Sequence, residues 1–351
     1  MTQQLVDAGD DLLLPYIYEL PSHMLDTLIA RLPPLALRTF QHRLPFDHDH
    51  DDSTGKRKRA RDWNLDSAWR RLFHQRWPQR LQQIQPADWQ QLYWETHLQD
   101  CLDEAAEVAL IPSFDGYIGD IQISDSILKS IGFVGNTSHS TFDYSKLSYH
   151  CLQFGSQLSC LRLQNVLCNE ETSETVRDPS SIREEGLTRV LLRECKLQSL
   201  VLRCIRSKKQ VDGLCKLLSQ HCRTLTSLEF VHCTLSRDFI NAIFGSLIIE
   251  SVQKHGIQHL SIIATTFLEP CTVSLPSGLV SFLSLGRSLC SLTLSDNLHG
   301  RTFAKDLFVT LLNISSGISV LDLSENKVSL SPAYSVFCSC KLTKIHAHVS
   351  R

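Results

Sequence analysis

The sequence has almost no net charge, no long apolar run and no paired cysteines of the metal-binding or redox kind. Its 35 basic and 37 acidic residues leave a formal charge of −2. That excludes a bulk attraction to nucleic acid or an anionic membrane, so nucleic acid is not an expected partner. No stretch approaches the ~20 consecutive apolar residues of a membrane span, so no membrane association is expected. The first thirty residues carry Asp7, Asp10, Asp11 and Glu19 where a secretory leader would have a basic start and a clean apolar segment. A nuclear or cytoplasmic location, or both, is the resulting expectation. The 13 cysteines include no Cys-x-x-Cys pair and no histidines at zinc spacing. They read as reduced, mostly buried thiols, with no metal site and no disulfide framework.

Catalytic motifs are missing as well. GYIGDI at 116–121 is the nearest approach to a glycine-rich loop, and it lacks the third glycine and the lysine of phosphate-binding loops. Neither a Gly-x-Ser-x-Gly turn nor a His-Glu-x-x-His helix occurs, so neither an active site nor a cofactor is expected.

What the sequence does have is 42% apolar residues in a recurring order. GISVLDLSENKVSL, at 317–330, spaces Ile318, Leu321, Leu323 and Val328 as a short strand followed by a turn at Asn326. The alternating apolar positions would face a core, and the asparagine would hydrogen-bond backbone groups at the turn. Similar spacing begins at Leu158, Leu187, Leu225, Ile257 and Leu289. Counted from Leu158, the starts lie 29, 38, 32, 32 and 29 residues apart, and Ile118 begins a weaker first copy. Cys195 and Cys233 take the turn position in the copies at Leu187 and Leu225. A unit that cannot bury its apolar face alone needs neighbours at regular intervals. Between these strands, helical spacing is carried by Leu214, Leu217 and Leu218, by Phe239, Ile240, Ile243, Phe244, Leu247 and Ile248, and by Leu307, Leu311 and Leu312. Residues 169–186 are polar and read as an insertion.

These repeats resemble leucine-rich repeats of the ribonuclease-inhibitor type over about residues 118–330. The resemblance implies an α/β fold: a leucine-rich repeat solenoid, here assigned to 111–351, with parallel strands on one face and helices on the other. Its exposed strand residues would bind a protein target, with Arg162, Gln164, Glu229, Ser261, Thr293 and Asp322 as candidate contacts. The tail after Val328 is expected either to cap the array irregularly or to end it early.

Upstream, Leu25, Leu28, Ile29 and Leu32 form one helical stripe beginning at a Ser22 cap. Pro33 and Pro34 then end that helix, and Leu35, Leu37 and Phe40 begin another. All five tryptophans lie within residues 63–94, a density that marks a small aromatic core or a partner surface. The acidic and basic loop at 46–64 holds His48 and His50 among aspartates, read as solvated chain rather than a metal site. It also holds Lys56, Arg57, Lys58 and Arg59, a candidate nuclear import signal.

Leu20-Pro21 opening a helix, LALRTF closing the next, and DSAWRRLFHQRWP after it resemble an F-box. With Asp66, Trp69 and Trp89-x-x-x-Tyr93 the layout is also similar to the elongin A family. The order of modules resembles Elongin BC-binding leucine-rich repeat proteins. The resemblance implies an N-terminal helical F-box/elongin A-like domain at 12–110 that holds the Skp adaptor or Elongin C, with a cullin, through Leu20, Pro21, Leu25, Leu28, Ile29, Leu32, Leu35, Trp69 and Leu72. The chain would then be a substrate receptor of a cullin-RING ubiquitin ligase. The alternatives are a stoichiometric binding or scaffold protein whose N-terminus caps the repeats, and a nuclear accessory of transcription elongation.

Overall fold

Alternation of buried and exposed positions makes the strands. In Cys160–Gln164 the inward residues are Leu161 and Leu163, in Ser199–Arg203 they are Leu200 and Leu202, and in Ser227–Val231 they are Leu228 and Phe230. The computed structural model describes residues 20–42, 65–80, 86–109, 111, 118–133, 144–164, 196–206, 212–248, 255–267, 275–285, 288–297, 301–313, 317–326 and 344–346. Within these the chain is a mixed α/β protein. It divides into two compact units: 1–97 with 122–146, and 98–121 with 147–351. The division differs from a boundary at 110/111, because it falls inside one helix and returns a short later segment to the N-terminal unit.

The first unit contains α1 (Ser22–Ile29), α2 (Pro34–His42), α3 (Asp66–Arg76), the start of α4 (Trp89–Ala109) and α5 (Asp125–Ser130). Pro21, not Ser22, stands at the cap of α1, and its carbonyl accepts from the Met24 and Leu25 N–H groups. Pro34 is the first residue of α2, where its fixed φ suits a helix and its missing N–H costs nothing. Asp88 caps α4, its carboxylate accepting from the N–H groups of Gln90 and Gln91 at 2.8 and 3.0 Å. The core is aromatic. Trp69 meets Tyr93 and Trp94 with ring centroids 5.5 and 5.7 Å apart, and Phe73 meets Trp77 and Trp89 at 4.9 and 5.6 Å. The Trp69 indole N–H donates to Gln41 at 3.0 Å, and the Gln41 amide donates to Gln90 at 2.8 Å, so the polar edge of the Trp69 ring is satisfied. Gly132 has φ +85°, and a Cβ there would lie 2.4 Å from Pro33 Cβ. Only glycine permits both that turn and the close approach to Pro33; beside it, the Leu35 N–H of α2 donates to Ile131 O.

The second unit is organised by a seven-stranded parallel sheet in sequence order: β1 (Cys160–Gln164), β2 (Ser199–Arg203), β3 (Ser227–Val231), β5 (His259–Ile263), β7 (Ser291–Thr293), β8 (Val320–Asp322) and β9 (Lys344–His346). Two short strands, β4 (Thr234–Leu235) and β6 (Thr266–Phe267), pair separately. Helix α6 (Leu147–Phe154) precedes the sheet. Helices α7 (Asp212–His221), α8 (Arg237–Ser246), α9 (Ser277–Leu285) and α10 (Arg301–Asn313) separate its strands. Parallel neighbours need such crossovers, because a tight turn cannot reverse the chain and return it in the same direction. Gly278 lets α9 approach α8: its N–H donates to the Asn241 carboxamide at 2.8 Å, and a Cβ would lie 2.7 Å from Asn241 Cα.

Each strand of the large sheet from β2 to β8 is followed by a residue in the left-handed region, at Cys204, His232, Ala264, Asp296 and Glu325. The first four donate their N–H to the next chain segment, at Val231, Ile263, Ser295 and Ser324. Beneath these turns runs a buried polar ladder. Asn326 Oδ1 accepts from Asn297 N–H, Asn297 Oδ1 from Thr265 N–H, and Thr265 Oγ1 from Cys233 N–H. Asn326 and Asn297 also donate to the carbonyls of Leu294 and Ile262. The Cys233 thiol donates to Leu202 O at 3.4 Å, and burial pushes its pKa up to about 11. The turn roles expected of Asn326 and Cys233 are therefore the observed ones.

Three sequence expectations need correction. Ile118 does not begin a unit of the sheet. Ile118–Asp120 is a 3₁₀ turn, Gln122 bridges Lys146 in antiparallel fashion, and Asp125–Ser130 is helical. Second, the strand beside β1 begins at Ser199, with register Leu161 to Leu200 and Leu163 to Leu202. The copy expected from Leu187 lies almost wholly outside the described residues, as does Cys195. Because β1 pairs directly with β2, no other strand stands between them. The segment that supplies β2 starts at Leu197, with Leu200, Leu202 and Ile205 inward. Third, of the residues with helical spacing, Leu312 is exposed rather than inward. Beyond the stretch 317–330 one further strand, β9, pairs with β8.

Candidate functional site

The N-terminal stripe is divided between core and surface. Leu25 is fully buried, as are Ile29, Leu32 and Trp69 to within a few per cent. Leu20, Leu28, Leu35 and Leu72 are half-buried, Pro21 is exposed, and Met24 is 53% exposed. Met24 and Leu28, four residues apart, line one outward side of α1 while Leu25 and Ile29 anchor the other; Leu20 precedes the helix and Leu32 follows it. Trp69 belongs to the aromatic core and Leu25 to the apolar one; in the folded chain neither is open to a partner. Met24 is not among the sequence candidates, although its i+4 relation to Leu20 and Leu28 is visible in the sequence.

On the sheet, Arg162, Gln164, Glu229, Ser261, Thr293 and Asp322 all occupy outward strand positions and are partly exposed. Arg162 is already engaged. Its guanidinium pairs with the Asp103 carboxylate, its N–H donates to Gln99 Oε1 at 2.9 Å, and its carbonyl accepts from Gln99 Nε2 at 3.1 Å. The Gln99 amide thus meets the backbone of the edge strand much as another strand would, and closes that edge. Asp322 accepts from Ser324 N–H at 2.9 Å. Val201 and Arg203 on β2, which a repeat starting at Leu187 does not place on this face, complete the outward rows. Register places Arg162, Val201, Glu229, Ser261, Thr293 and Asp322 in one row across six strands.

Lys56, Arg57, Lys58 and Arg59, with His48 and His50, lie outside the described residues. Among the described residues no helix is long and apolar enough to cross a membrane. Compared with protein-family models and with curated proteins, the chain matches none.

Proposed function

We propose that the chain is a protein-recognition subunit: a leucine-rich repeat array whose outward strand row binds a target, joined to an F-box/elongin A-like helical region that docks an adaptor. In this reading it is the substrate receptor of a cullin-RING ubiquitin ligase, with the Skp adaptor or Elongin C as adaptor, working in the nucleus, the cytoplasm or both. It holds target lysines near a charged conjugating enzyme, and its contribution is effective concentration rather than chemistry. The observation that supports adaptor docking most directly is the outward side of α1, where Met24 and Leu28 stay accessible although the same helix buries Leu25 and Ile29. An apolar side left open on an otherwise packed helix is what a partner groove requires.

The test is affinity purification of the intact chain beside a Met24→Asp, Leu28→Asp variant. Leu25 is unsuitable, because a charge at a fully buried position would unfold the unit. Recovery of a cullin with its adaptor by the intact chain and not by the variant is expected. A folded intact chain that recovers neither overturns the reading. The second reading, a scaffold protein without an adaptor, is favoured by one observation: Gln99 and Asp103 close the edge of β1, which is the work of a cap.

A further inference from the structure

The outer side of α3 has no part in either surface described above, yet it carries prearranged positive charge. Ser67, Arg70, Arg71, His74 and Gln75 line a depression of about 500 Å³. Arg70 lies over the Trp89 ring at 5.6 Å, and His74 meets the same ring edge-on at 5.5 Å. Arg71 donates to the Ile29 carbonyl at 3.5 Å. The ring contact and this single long bond hold the two guanidinium groups beside α3 and, among the described residues, leave most of their N–H donors unused. Among the described residues neither Arg70, Arg71 nor His74 forms an ion pair. The nearby carboxylate on the same helix, Asp66, is occupied in accepting the Trp89 backbone N–H at 3.3 Å.

From this arrangement we propose that the face formed by Arg70, Arg71 and His74 binds a phosphorylated side chain of a partner peptide. Two guanidinium forks and an imidazole offer more donors than one carboxylate can accept. A phosphate monoester brings about two negative charges and three terminal oxygens to the same point. The hydroxyl of Ser67 and the amide of Gln75, which also line the depression, are suited to hydrogen bonds with a peptide backbone. The proposal does not rest on adaptor docking, since it uses a different helix and none of Leu20, Met24 or Leu28.

The test titrates the full chain into two fluorescent peptide pools, identical in randomised flanks and differing only in a central phosphothreonine or threonine, and follows anisotropy at low salt. A third pool carries glutamate at the centre, a single-stranded RNA of equal charge serves as the other macromolecular probe, and inorganic phosphate is the competitor. The phosphothreonine pool is expected to bind at least about tenfold more tightly than either other pool. Arg70→Ala with Arg71→Ala should abolish the difference, while Arg71→Lys weakens it and leaves the tryptophan emission of the fold unchanged. Binding that is equal for the three pools, tighter for the RNA, undiminished in the double variant, or matched by inorganic phosphate alone overturns the proposal. So does absence of binding by the folded chain up to about 1 mM. If the double variant does not fold, Arg70→Gln alone carries the same comparison, because Arg70 is exposed and its loss opens no cavity.

Discussion

In the helical unit, Trp69, Phe73, Trp77, Tyr93 and Trp94 meet in contacts that each occur once. In the sheet unit, Leu161, Leu200, Leu228, Leu260, Leu292 and Leu321 fill the same position on six successive strands. The first core is a small set of large rings whose edges and faces must match, so one misfit disturbs several partners at once. The second is built by stacking, so each strand depends mainly on its two neighbours, and the buried ladder from Asn326 to Cys233 couples each turn to the next.

The substitution expected to break this contrast most sharply is Trp69→Ala. It removes a fully buried ring, its contacts with Tyr93 and Trp94, and the donor to Gln41. The helical unit should lose about 4 kcal/mol. Urea unfolding followed by tryptophan emission should show an earlier transition, while circular dichroism of the sheet unit keeps a later one. A single transition, shifted as a whole, would mean that the two cores unfold together.

A smaller effect is expected from Asn297→Ala, which leaves the Thr265 N–H and the Ile262 carbonyl buried without their partners. The cost should be ~3 kcal/mol, confined to the sheet unit. Amide exchange should accelerate first at Thr265 and at the neighbouring turns. Acceleration across the helical unit as well would contradict the local character of the ladder.

The smallest effect concerns pH. His221 and His255 are buried, and loss of hydration lowers both from the ordinary 6.5; for His255 the Phe282 carbonyl at 3.3 Å opposes this in part. Because the folded values lie below the unfolded one, the unfolded chain takes up protons first as pH falls. The stability these histidines allow is therefore present above 6.5 and declines as pH falls from there toward their folded values. Urea midpoints should drop between about pH 7.5 and 5.5. His255→Phe, which keeps the stacked ring against Phe282, should flatten that slope. An unaltered slope would assign the effect elsewhere.

Legibility followed the same division. The copies at Leu225, Ile257 and Leu289 were readable because alternating leucines and a turn residue are local signals, and β3, β5 and β7 lie where that spacing puts them. The strand beside β1 follows Leu197, where the pattern is weaker, with Ile205 at the turn position instead of asparagine or cysteine. Spacing favours Leu187, with Cys195 at that position, and which segment enters the sheet depends on which strand pairs with β1. Thr265 joins the ladder in a position where the pattern leads one to look for asparagine or cysteine. The Ile118 copy has the spacing of a strand, but Ser124 and the residues after it begin a helix.

For the N-terminal region, spacing along the chain is enough to read a helix through Leu25, Leu28 and Ile29 and a cluster of tryptophans. Helical period and proline placement are properties of neighbouring residues, so these features need no distant contact. Only the tertiary structure decided that Leu25 and Trp69 are core while Met24 and Leu28 remain accessible, that Arg162 is held by Asp103, and that Arg70 and Arg71 form no ion pair among the described residues. Burial and pairing are decided by which segments meet, and segments distant in the chain meet only after the whole chain has packed.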